Sequence, residues 1–184
     1  MNAQTLYQTA IKFATAKHLA KNQNVPGTDL PYVVHLSNVA MEVLMANAHT
    51  ENFNVALAIQ VALLHDTIED TDTTFAEVEQ NFGIEVANAV LALTKNQALP
   101  KEQQMMDSLM RIKKLPVEVW AVKLADRITN LQPPPSHWDN EKKKKYRTEA
   151  QFILDELGTG NLFLADRLKE KILEYEKYIG TEVL

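Results

Sequence analysis

The chain has 184 residues, 46% hydrophobic and 23% charged, which suits one globular domain with a real core. A net charge of -5 speaks against a nucleic-acid partner, and no apolar run approaches the roughly 20 residues that a membrane helix needs. The absence of cysteine excludes disulfides and thiolate metal sites; with no basic segment leading into an apolar one at the N-terminus, a cytoplasmic location is the expectation.

Glycine and proline are scarce, and the segments between them carry helical periodicity. The first helix is expected over about 3–21, with Leu6, Ala10, Phe13, Ala14 and Ala16 apolar and His18 near its end. Residues 22–30, with Pro26-Gly27-Thr28, read as a loop. Pro31 suits the first turn of a second helix, in which Leu36, Val39, Ala40, Val43 and Leu44 form an apolar stripe with His35 on the same side. A third helix, about 54–66, is apolar almost all round, as central helices are. Thr74 with Glu77 makes a capping box for a short helix to about Asn81; Gly83 breaks it before a helix over 84–94. Pro100 and Pro116 read as first-turn prolines of helices over 100–114 and 116–131, and Pro133-Pro134-Pro135 stops the second. Ser136 or Asp139 caps a long helix to about Leu157, Gly158-Thr159-Gly160 turns the chain, and a last helix covers about 161–179. No segment alternates as a strand does. The expected fold is an all-α, single-domain helical bundle over 1–184, with its core over about 6–157 and the last helix beyond it.

The most informative stretch is Ala62-Leu63-Leu64-His65-Asp66-Thr67-Ile68-Glu69-Asp70. If the third helix runs on for one more turn, Asp66, Glu69 and Asp70 share a face, since positions i, i+3 and i+4 are neighbours on a helix. Acids gathered on one face repel unless a cation sits among them. Asp126 is a second anomaly, because Val122-Lys123-Leu124-Ala125-Asp126-Arg127-Ile128 is otherwise an apolar helix and a buried carboxylate needs a partner. Alone, Asp126 reads as a salt bridge to Arg127 or Lys123, His35 as a satisfied core or surface histidine, and His65-Asp66 as a helix C-terminal charge arrangement. Together, two histidines and two aspartates on three helices are a ligand inventory for Mn²⁺, Fe²⁺ or Zn²⁺.

The pattern His35, His65-Asp66 and Asp126 resembles the HD superfamily of metal-dependent phosphohydrolases. Leu64 to Thr71, Pro31 to His35, Val122 to Leu131, Phe13 to His18 and Leu93-Thr94-Lys95 together resemble the hydrolase domain of the RelA/SpoT type, and the chain is similar to its small stand-alone alarmone hydrolases. That resemblance implies removal of the 3′-pyrophosphate from guanosine tetra- and pentaphosphate, usually with Mn²⁺. It implies His35, His65, Asp66 and Asp126 as metal ligands, Glu69 and Asp70 as the pair that orients and deprotonates the attacking water, and Asn130 as a substrate contact. By the same resemblance Lys142 is the best placed of the four lysines at 142–145 to contact phosphate. Lys95 and Tyr146 are further candidates for the substrate pocket.

Each of these has a plainer reading. A lysine run is ordinarily a solvated helix face, a loop lysine such as Lys95 is ordinarily solvated, and Tyr146 can simply pack. His18 and His137 read as structural or surface residues, and Trp120 and Trp138 as packing residues. One departure stands out: the family loop before Pro-Tyr carries an Arg-Lys pair, whereas residues 22–30 here hold no basic residue. That loop sustains a second reading, an HD phosphohydrolase acting on another phosphorylated nucleotide. A third reading is a non-catalytic nucleotide-binding regulatory module. The expected partner throughout is a small-molecule nucleotide.

Overall fold

The central element is the helix whose sequence is apolar all round. In the computed structural model, which describes residues 2–180, this is α3 (Val55–Leu64), with Leu57, Ala58, Ile59, Val61, Ala62, Leu63 and Leu64 all buried. A helix with no polar stripe has to be wrapped. Four helices do this: α1 (Ala3–Ala20), α2 (Val33–Ala48), α6 (Ile84–Leu93) and α8 (Val117–Asn130). The remaining helices complete an outer layer: α5 (Phe75–Phe82) and α7 (Lys101–Ile112) lie on α6, while α9 (Asn140–Leu157) and α10 (Leu162–Tyr175) lie on α8. Among the described residues there is no strand, only an isolated bridge between Asn24 and Pro31, so the fold class is all-α as expected. The outer bounds of the expected domain, residue 1 and residues 181–184, lie outside the described residues. No helix among the described residues is long and apolar enough to cross a membrane.

Local chemistry sets the boundaries. Asn2, Asn54, Thr74, Asp139 and Asn161 each accept a bond from a backbone amide three residues on, and so cap α1, α3, α5, α9 and α10. Asp139, not Ser136, is therefore the cap of the long helix. The capping box at Thr74 is half formed, because the Glu77 carboxylate is drawn off by Lys17 Nζ at 2.5 Å. Gly83 stands at φ +89°, a left-handed setting that lets α6 start where α5 ends. Pro100 and Pro116 stand one residue before their helices, in the extended capping conformation. The last helix stops at Tyr175 and tightens into a 3-10 turn over Glu176–Tyr178.

One expectation needs correcting. The third helix does not run through Asp66. It stops at Leu64, and a separate short helix, α4 (Thr67–Asp70), follows. The buried Thr67 hydroxyl donates to the Leu64 carbonyl at 2.6 Å and so ties the start of α4 to the end of α3. The Asp70 amide still donates to the Asp66 carbonyl at 2.9 Å, so the turn that groups Asp66, Glu69 and Asp70 survives the break.

Two contacts fix α8 against its neighbours. Glu118 accepts a bond from the Asn54 amide at 2.8 Å, joining the start of α8 to the start of α3. Trp120 packs on Gly160, where a β-carbon would come within 2.9 Å of the indole, and its Nε1 donates to the Leu115 carbonyl at 3.1 Å. Leu63 is wholly buried at the centre of this arrangement. Truncation of Leu63 to alanine is expected to destabilise the fold by about 2–5 kcal/mol, read as a lower denaturant midpoint at unchanged slope.

Candidate metal centre

Three helices meet at the end of α3. His35 comes from the first turn of α2, His65-Asp66 from the link between α3 and α4, and Asp126 from the buried face of α8. His35, His65 and Asp126 each offer a ligand atom, and these atoms lie within 4.8 Å of one another, a group that can hold a metal ion. The two imidazole Nε2 atoms are 3.3 Å apart, and Asp126 Oδ1 is 3.4 Å from that of His35 and 3.6 Å from that of His65. Asp66 Oδ2 joins them at 2.9 Å from His65 and 3.8 Å from His35.

The outer nitrogens decide which way the histidines present themselves. His65 Nδ1 is 2.8 Å from the Ala62 carbonyl, which can only accept, so Nδ1 carries the proton. His35 Nδ1 is 3.4 Å from the Thr129 hydroxyl, whose own proton goes to the Asp126 carbonyl at 2.9 Å. Both Nε2 atoms therefore turn lone pairs toward the same point, beside two carboxylates. Such a point attracts a cation. Burial works against a charge on His65, but Asp66 and Asp126 outweigh it and raise its affinity for a proton well above that of an ordinary imidazole. Burial also opposes the charge on Asp126, and Lys123 and the two imidazoles overcome it, holding the carboxylate well below its usual range.

The carboxylates around this point are individually tethered. Lys123 Nζ binds Asp126 Oδ2 at 3.0 Å, and Asn130 Nδ2 binds Oδ1 at 2.6 Å. The Tyr32 hydroxyl donates to Asp66. Glu69 is gripped twice by Lys95, through its amide at 2.8 Å and its ammonium at 3.0 Å. Asp70 accepts from Gln23 Nε2 at 2.8 Å, while burial and the nearby Asp66 charge raise its pKa.

These groups line a cavity of about 240 Å³ that also takes in Tyr146, Arg127 and Glu149 from α8 and α9. Glu69, Asp70, Lys95, Asn130 and Tyr146, all singled out from the sequence, lie on its wall. Lys142 does not line it: its ammonium sits 4.4 Å from the centroid of the Trp138 ring, on the exposed start of α9. A slightly larger cleft of about 290 Å³ lies between α2, α8 and α10, but its charged groups are already paired, Arg167 with Glu42 and Lys171 with Glu174, and it gathers no cluster of ligating side chains.

Sequence reasoning missed three contributors. Tyr32 lies three residues before His35, a spacing that puts both on one face. Lys123 entered only as the plain partner of Asp126, and it is that partner while the other carboxylate oxygen faces the histidines. Gln23 gave no signal, since its partner is 47 residues away.

Comparison with known proteins agrees with the helical fold. The sequence model of the HD domain matches residues 10–159. The guanosine-3′,5′-bis(diphosphate) 3′-pyrophosphohydrolase MESH1 of Danio rerio is 32% identical over 169 residues, covering 89% of this chain and 91% of its own. The Homo sapiens protein of the same name is 33% identical over 165 residues, covering 87% of this chain and 89% of its own. Among solved structures, a metazoan ortholog of SpoT that hydrolyzes ppGpp and plays a role in starvation responses superposes with a TM-score of 0.77 at 28% identity, covering 94% of this chain and 96% of that one. With the family model spanning most of its length and these relatives covering nearly all of it, the chain belongs to the HD-domain family.

Proposed function

We propose that this chain is a metal-dependent hydrolase that removes the 3′-pyrophosphate from guanosine tetra- and pentaphosphate. The observation that carries the reading is the His35, His65 and Asp126 group with Asp66 beside it, at a cavity whose wall carries His65, Asp66 and Asp126 together with the tethered pair Glu69 and Asp70. Its similarity to relatives named for that reaction supports the choice of substrate.

The donor set suits a divalent ion of the Mn²⁺, Fe²⁺ or Zn²⁺ kind, with His35, His65, Asp66 and Asp126 as its ligands; Mn²⁺ is the ion proposed. When bound, such an ion lowers the pKa of a water and neutralises charge on phosphoryl oxygens. The chain's own residues supply the rest. Thr129 and the Ala62 carbonyl fix the imidazole tautomers, and Lys123 and Asn130 fix the Asp126 carboxylate. Asp70, with its raised pKa, takes the proton of the attacking water, and Glu69, immobilised by Lys95, orients that water. The water oxygen bonds to the phosphorus carried on the 3′-oxygen, the bond between that phosphorus and the 3′-oxygen breaks, and the 3′-oxygen takes up a proton from solvent as pyrophosphate is released, Asp70 giving its proton back to solvent. Asn130, Lys95 and Tyr146 are the substrate contacts proposed on the cavity wall, and Lys142, on the evidence of its position, is not among them.

The basic-free loop at 22–30 favours a second reading, the same chemistry on another phosphorylated nucleotide. Incubation with Mn²⁺ and guanosine tetraphosphate, resolved by anion-exchange chromatography, separates the two. GDP with pyrophosphate is the expected product, and no turnover by metal-loaded protein would pass the assay to a nucleotide panel. Asp70→Asn is expected to lower kcat by about 10²–10⁴-fold while metal remains bound.

Metal affinity is expected to fall as pH falls, because a proton and the ion compete for His65 Nε2 and the surrounding carboxylates favour the proton. Calorimetric titration of metal into the protein should show proton release on binding, with affinity still rising with pH above 6.5, the ordinary imidazole value. Affinity that does not change with pH would remove His65 from the ligand set.

A further inference from the structure

Within the basic-free loop, Gln23 is held on every side. Its amide donates to the His18 carbonyl at 3.1 Å, and its carbonyl accepts from the Tyr32 amide at 3.2 Å. Its side chain reaches Asp70 Oδ2 through Nε2 at 2.8 Å and His18 Nδ1 through Oε1 at 2.6 Å. A carboxylate only accepts, so the NH₂ of Gln23 must face Asp70 and its oxygen must face His18. His18 Nδ1 then has to be the donor. The imidazole is buried at 1% exposure, and its Nε2 has no hydrogen-bond partner among the described residues. Burial lowers the proton affinity of His18, which keeps the ring neutral and in this one tautomer. Its ring also packs on that of Tyr32, with centroids 4.6 Å apart, and the Tyr32 hydroxyl binds Asp66.

We propose that Gln23, oriented by His18, is the positioning residue for Asp70 in the hydrolytic step. The proposal rests on the reading of Asp70 as the group that takes the water's proton. Asp70 closes a helix of only four residues and lies beside two other carboxylates, Asp66 and Glu69, so the fold alone does not hold its side chain. A donor from outside α4 has to fix one oxygen and leave the other free to accept. A cation there would also pair with the acids and lower the basicity of Asp70; the neutral amide of Gln23 orients the carboxylate and leaves it a better base. His18 completes the device by preventing the amide from turning its oxygen toward Asp70.

Gln23→Met keeps the length of the side chain and removes both bonds. It is expected to lower kcat on the order of 10²-fold with KM little changed, the mark of lost alignment in the reacting state. His18→Leu should act in the same direction. His18→Asn should restore most of the rate, since an asparagine amide nitrogen can stand where Nδ1 stands. The readout independent of activity is the imidazole ¹⁵N spectrum. In the wild type, His18 should carry an exchange-protected proton on Nδ1 and a bare Nε2, and Gln23→Met should abolish that protection. A rise in KM alone would make Gln23 a substrate contact and overturn the proposal, as would a proton on Nε2 of His18 or a kcat unaffected by Gln23→Met. A wild type that turns over no nucleotide would remove the reading of Asp70 on which the proposal depends, and the imidazole spectrum tells that outcome apart from failure of the relay.

Discussion

Carboxylates crowded into one site each need a partner, and this fold is arranged around that need. Asp66, Glu69, Asp70 and Asp126 share one cavity, and each is reached by a donor from a different part of the chain. Tyr32 precedes α2, Lys123 and Asn130 come from α8, Lys95 from the loop after α6, and Gln23 from the loop after α1. Removing a partner of Asp126 leaves a buried carboxylate facing its neighbours, which is costlier than the bond itself is favourable. The site is thus a junction that the surrounding helices can reach only in one arrangement.

The apolar helix α3 makes the junction possible. Apart from Gln60 on its partly exposed side, it carries no polar residue until its end, and there His65 and Asp66 emerge among α1, α2 and α8. The break after Leu64 redirects the chain by one short helix and aims Glu69 and Asp70 at the same space. α8 works differently. It carries Lys123, Asp126, Arg127 and Asn130 on a largely buried helix, and each of these residues has a partner within reach: Lys123 and Asn130 bind Asp126, and Arg127 binds Glu149 through one nitrogen and packs on the Tyr146 ring.

This division explains what could be read from the sequence. Helix periodicity and caps were legible because they are local, and the ligand candidates stood out because polar residues inside apolar helices have few innocuous explanations. Asp126 shows both sides of this: its salt bridge to Lys123 and its contact with the histidines coexist on different oxygens, so the two readings were never exclusive. The end of α3 was not legible, because no glycine or proline marks it. Lys142 shares a helical face with Tyr146 by spacing, yet the preceding turn brings Trp138 beneath it and the ammonium settles on that ring. Gln23 was invisible since amide side chains carry no distinctive pattern and its partners are set by the tertiary fold.

The charge on the cavity wall bears on what can enter it. With His65 neutral, as a metal ligand must be, Asp66, Glu69, Asp70, Asp126 and Glu149 are set against Lys95, Lys123 and Arg127, which leaves two negative charges in excess. All three cations are already engaged with acids of the wall, so a phosphate that reaches Lys95 has to compete with Glu69 for it. A polyphosphorylated nucleotide would be repelled from such a surface. One divalent ion cancels the excess, and only then does Coulomb energy cease to oppose the substrate. On the proposed reading the metal therefore has a task before the chemistry begins, which is to make an acidic cavity admissible to an anion. The neutral Gln23 sharpens that dependence, because it steadies Asp70 without contributing any positive charge of its own.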